Sequence, residues 1–101
     1  MSTALLYNPA AGRGLAPRLR DRALRAAALH WPRIELLETR GPGDGVRLAR
    51  EAVQAGVERL LVLGGDGTVH EAANGLLGAQ AAPLPPVGVI PCGTGNDFAK
   101  L

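Results

Sequence analysis

The stretch LVLGGDGTVHEAANGL, which ends at Leu76, sets Asp66 among three glycines, Gly64, Gly65 and Gly67, between an apolar run and a helical pattern. One glycine would serve a turn from strand to helix. Three leave main-chain amides open to close approach by a ligand, and a helix start adds roughly half a positive charge. That chemistry suits phosphate. A carboxylate among such amides repels phosphate unless a cation or a donor hydroxyl lies between, and Mg2+ shared by carboxylate and phosphate oxygens meets that need. A second turn, CGTGN at 92–96, is followed by Asp97 and repeats the arrangement. The simpler role for Asp66 and Asp97 is to cap helices, which aspartate does well. For a lone Asp-Gly that role has the stronger claim; two such turns in one sheet reverse the balance. Neither G-x-x-x-x-G-K-[ST] nor G-x-G-x-x-G is spelled after any strand, which excludes the two common phosphate fingerprints.

The elements that must position these turns can be read from period and punctuation. Residues 4–7 form an apolar run that Asn8-Pro9 ends, with Gly12 and Gly14 following, so a strand leads into a glycine-containing loop. Over 15–30, Arg18, Arg20, Arg22 and Arg25 interleave with Leu19, Ala23, Leu24, Ala27 and Leu29, which predicts an amphipathic helix with a basic face and Pro17 in its first turn. A second strand is expected over 33–39. Asp44 is placed to cap a helix carrying Val46, Ala49, Ala52 and Val53, and Gly56 to stop it in the left-handed conformation. Residues 60–63 are apolar throughout, as in a strand covered on both faces.

Thr68 and Glu71 have capping-box spacing ahead of Val69, Ala72, Ala73, Leu76 and Leu77, so the next helix is expected to start at the glycine turn. A fourth strand over 87–90 leads through Pro91 to the second turn and a helix beginning at Asp97. Strands alternating with helices imply a parallel sheet with right-handed crossovers, whose ligands bind outside the carboxyl ends of the strands. The turns at 8–14, 64–67 and 92–96 should therefore share one edge.

With 101 residues and 47% hydrophobic content the chain suits one compact domain. Its net charge of +2 gives no basis for a nucleic-acid partner, and none is expected. Cys92 is the sole cysteine, so no internal disulfide can form and a reducing compartment is the natural reading. No run approaches the roughly 18 apolar residues of a membrane span, and the first residues lack the pattern of a secretory signal, so a cytoplasmic protein is expected. Cys92, His70, His30 and Trp31 are read as packing or surface residues.

GGDGTVHEAANGL together with GVIPCGTGNDFAKL resembles the N-terminal catalytic lobe of the diacylglycerol kinase family, which includes bacterial lipid kinases, sphingosine kinases and ceramide kinases. NPAAGRG after the first strand and Thr39 after the second fit that family's other nucleotide contacts in order and approximate spacing. The resemblance covers essentially the whole chain. GGDGT is shared with NAD kinases, whereas GTGNDFA is far more specific to the lipid-kinase branch.

The resemblance implies a Rossmann-like α/β/α sandwich with a mainly parallel sheet, residues 1–101 forming the nucleotide-binding lobe. It implies ATP as cofactor, held by Asn8, Pro9, Gly12, Thr39, Gly64, Gly65, Asp66, Gly67, Thr68, Thr94, Gly95 and Asn96. Asp66 and Asp97 would be the catalytic acids that organise Mg2+ and the phosphoryl-transfer site. The reaction implied is transfer of the γ-phosphate to a lipid hydroxyl, diacylglycerol giving phosphatidate, at the inner membrane face. In this family the general base and the acceptor pocket come from a second, β-rich domain, so the chain on its own is expected to be inactive, and the surface left exposed could promote a homodimer. Ala11 stands where the family often has Ser, and Cys92 where it has a small or aliphatic residue. Two rival readings are an NAD-kinase-like enzyme and a nucleotide-binding module that does not catalyse.

Overall fold

The computed structural model describes residues 3–80 and 83–91. Four strands, β1 (Thr3–Tyr7), β2 (Ile34–Glu38), β3 (Arg59–Gly64) and β4 (Val87–Pro91), form one sheet in the order β2-β1-β3-β4, with every pairing parallel. A 3-10 turn, Ala11–Gly14, precedes α1 (Ala16–Ala28); α2 (Asp44–Gln54) and α3 (Asp66–Gly78) complete the fold.

The two-residue period of the central strands divides the core. Ala4, Leu6, Leu60 and Val62 point to one face, where Ala49 of α2 and Ala72 of α3 cover them. Leu5, Tyr7, Leu61 and Leu63 point to the other, against Ala16, Leu19 and Ala23 of α1. The expected three layers are therefore present. The placement of helices follows from crossover handedness. β1 to β2 runs one way across the sheet and β2 to β3 to β4 the other, so crossovers of one hand must put α1 opposite α2 and α3. The reversal falls between β1 and β3, which makes the carboxyl ends of those strands the natural ligand crevice.

Local starts and stops agree with the sequence in part. Pro17 lies in the first turn of α1. Gly56 has φ +87° and closes α2 with a paired motif, its N–H donating to Val53 and that of Val57 to Ala52. The two side-chain caps are corrected. Gly43, not Asp44, is the residue before the first turn of α2, and the Asp44 carboxylate instead accepts from the Arg40 N–H at 2.8 Å. Helix α3 begins at Asp66, two residues before Thr68, with Gly65 ahead of it and no side-chain cap. Thr68 is thus inside the first turn and buried, and Glu71 is free to bond elsewhere. Capping-box spacing was met by residues already committed to the helix and to tertiary packing.

Candidate functional site

Parallel strands bring their following loops to one edge, and here the loops after β1, β2 and β3 enclose a cleft of about 540 Å³. Asn8, Pro9, Ala10 and Ala11 come from the first connection, Thr39, Arg40, Gly41 and Pro42 from the second, and Gly65 with Gly67, Thr68 and Glu71 of the following α3 from the third. Six residues expected from the sequence, Asn8, Pro9, Thr39, Gly65, Gly67 and Thr68, are thereby gathered. Gly12 lies in the 3-10 turn that continues from Ala11. Thr94, Gly95, Asn96 and Asp97 lie outside the described residues; β4 runs level with β3, Pro91 pairing with Gly64.

Each loop is held by its own backbone. The Asn8 side-chain oxygen accepts from the Ala10 N–H at 3.0 Å and its carbonyl from the Ala11 N–H, which folds the chain sharply after β1. Thr39 is buried and donates its N–H to the Tyr7 carbonyl, extending the β1–β2 ladder by one rung into the cleft wall. Below it, Tyr7 is 1% exposed, and its hydroxyl accepts from Arg20 at 2.9 Å. Hydrogen bonds to Asp21 and then to Tyr7 hold the Arg20 guanidinium above its ordinary pKa, so that cation belongs to the support of the sheet.

Two of the glycines of GGDG do different work. A Cβ on Gly64 would lie 2.5 Å from the Thr68 Cβ, so this glycine makes room for Thr68 against the strand end. A Cβ on Gly67 would meet nothing within 4 Å. Gly67 also lines the cleft, so a side chain there has open space beside the site. Asp66 between them is exposed at the first position of α3 and is not part of the wall.

Helix α3 lines this cleft with Gly67 and Thr68, the start of α2 follows directly on Pro42 of the wall, and the two starts differ in what their amides do. At α2, Gly43 and Gly45 donate to the Glu71 carboxylate at 3.3 and 2.9 Å, while Asp44 and Val46 donate to Gly41 and Gly43 carbonyls. That end is satisfied. At α3, no described residue accepts from the amides of Gly65, Asp66, Gly67 or Thr68. Orphan amides at a helix start beside a bare glycine are what an anion requires. Arg40 adds a cationic side chain to the wall, exposed and without an ion pair among the described residues.

Arg40 and Glu71 were not assigned to the site by the sequence. Arg40 carried a signal in its position directly after Thr39, whereas the capping-box spacing of Glu71 pointed to a different partner.

Residues 2–101 match the family described as the diacylglycerol kinase catalytic domain. The chain belongs to that family. Among its relatives, a diacylglycerol kinase of Staphylococcus carnosus is 35% identical over 96 residues, which are 95% of this chain and 31% of that protein. The crystal structure of a diacylglycerol kinase from Bacillus anthracis superposes with a TM-score of 0.79 at 34% identity, covering 98% of this chain and 35% of the other. A phosphate-loop protein solved in solution, at 19% identity and a TM-score of 0.60 over 99% of this chain and 84% of its own, shares the fold alone. The chain spans about a third of the length of the diacylglycerol kinases that it matches almost end to end. No described helix is long and apolar enough to cross a membrane.

Proposed function

We propose that this chain is the ATP-binding lobe of a lipid kinase that transfers the γ-phosphate of ATP to a lipid hydroxyl, with diacylglycerol as the acceptor. One observation carries the reading. At a cleft on the topological switch point, the α3 amides and the bare Gly67 are open while the α2 amides are occupied. The phosphate tail then belongs at Gly65, Gly67 and Thr68, with Arg40 as a further neutralising charge. Thr39 and Asn8 are left to the rest of the nucleotide. Phosphoryl transfer depends mainly on such positioning and charge neutralisation.

Asp66 fits a supporting role toward Mg2+. Mg2+ that arrives with ATP is held mostly by phosphate oxygens and water, which leaves room for one protein carboxylate beside them. When bound, Mg2+ would supply charge neutralisation on the phosphates. Residues beyond this lobe supply the general base and the acceptor pocket in this reading.

Access to the lipid is supported by α1. Arg18, Arg22 and Arg25 recur along its outward side, with Leu15 and Leu29, 43% and 84% exposed, at the ends of the same stripe. Such a stripe suits the anionic inner face of a bilayer.

The test has two parts. Mg-ATP titrated into the chain should shift the amides of Gly12, Gly65 and Gly67. The intact protein that carries this lobe should phosphorylate diacylglycerol and leave NAD untouched. Transfer to NAD and to no lipid would overturn the reading.

A further inference from the structure

Glu71 is the one acidic side chain in the described wall of a cleft read here as an anion site. It is half-buried, and its two oxygens accept from Gly43 and Gly45 at the start of α2. The contact is built into both helices. A Cβ on Gly45 would lie 2.7 Å from Glu71 Oε1, so only glycine there lets the carboxylate reach the amides. One turn on, Gly75 of α3 sits so close to α2 that a Cβ would collide with the Val46 carbonyl and lie 2.8 Å from the Ala49 Cβ. The two helices are set at a distance that Glu71 spans.

We infer that Glu71 is a positioning residue of the nucleotide cleft, acting through the start of α2. It does two things. Its bonds fix the loop that carries Thr39, Arg40 and Pro42 against the loop that carries Gly65 and Thr68. Its charge occupies the positive end of α2, so that of the two helix starts at the cleft only α3 accepts the phosphate tail. This inference rests on the nucleotide reading for its purpose, while its physical content, that Glu71 blocks the α2 amides, can be tested without a nucleotide.

The experiment compares the full chain with E71A and E71Q, following the amides of Gly43, Gly45, Gly65 and Gly67 by NMR. Inorganic phosphate is the first probe. It should leave Gly43 and Gly45 unmoved in the wild type and shift both in E71A. Mg-ATP is the second. Its affinity should fall about tenfold in E71A, the size expected when bonds to a charged acceptor are lost, and E71Q, which keeps an oxygen for Gly45, should recover most of it. A merely structural tie would lower the melting temperature of E71A but leave phosphate without effect at Gly43 and Gly45 and the Mg-ATP affinity unchanged, and that result overturns the inference. If Mg-ATP fails to move Gly65 and Gly67 in the wild type, the nucleotide reading falls, and the phosphate arm still decides whether Glu71 guards α2. Should E71A not fold, E71Q decides. In that variant phosphate shifts at Gly43 support the inference, and their absence overturns it.

Discussion

Gly64 and Gly67 are three residues apart and identical in the sequence, yet substitution should separate them. Adding a methyl at Gly64 forces Thr68 off the strand end, so Gly64→Ala should destabilise the fold by about 1–3 kcal/mol, read from denaturant unfolding. At Gly67 the methyl enters open space in the first turn of a helix, where alanine is the better helix former. Gly67→Ala should leave stability unchanged or raise it by up to about 1 kcal/mol, and Gly67→Val should abolish Mg-ATP binding by filling the cleft. Calorimetric titration checks the second effect; a valine variant that binds normally would remove the phosphate from Gly67. Asp66→Asn should weaken nucleotide binding more with Mg2+ than without it, and equal losses would count against a metal role. The sequence showed that bare backbone was wanted here. It could not divide the glycines by role, because the division depends on where Thr68 packs after α3 has begun.

At the scale of elements, strands and turns were legible because each rests on a local signal: the apolar run at β3, Pro17 inside α1, Gly56 after α2. What joins elements was not. Glu71 meets Gly43 and Gly45 across 28 and 26 residues, and no local pattern announces a bond of that range. The same limit hid Gly75, which reads as a weak point in a helix and proves to be the place where α2 and α3 touch. Gly75→Ala should therefore cost about 1–3 kcal/mol by overpacking, where helix propensity alone predicts a gain of up to about 1 kcal/mol. The sign of the change in unfolding midpoint tests this directly. On α1, charges close in sequence also divide by role. Arg20 is spent on Tyr7 and Asp21, whereas Arg18, Arg22 and Arg25 are exposed. Replacing those three with Gln should reduce sedimentation with vesicles rich in anionic lipid and leave Mg-ATP affinity unchanged.

At the scale of the molecule, the cleft opens at the sheet edge where three loops converge, and its chemistry is one-sided. The described loops offer amides, two threonines, an arginine and one exposed aspartate, a set able to hold and neutralise phosphate. The described carboxylate in the wall, Glu71, is engaged by α2, which leaves it poorly placed to take a proton from an attacking hydroxyl. Binding and catalysis should therefore separate. The 101-residue chain should bind Mg-ATP yet transfer phosphate to neither diacylglycerol nor water above background, whereas a protein of the relatives' full length that carries this lobe should turn over lipid through the same Gly65 and Gly67 amides. Parallel assays with radiolabelled ATP test the division. Lipid phosphorylation by the chain alone would mean that the general base lies within these residues, and Asp97, which follows the second glycine turn, would be the first to replace.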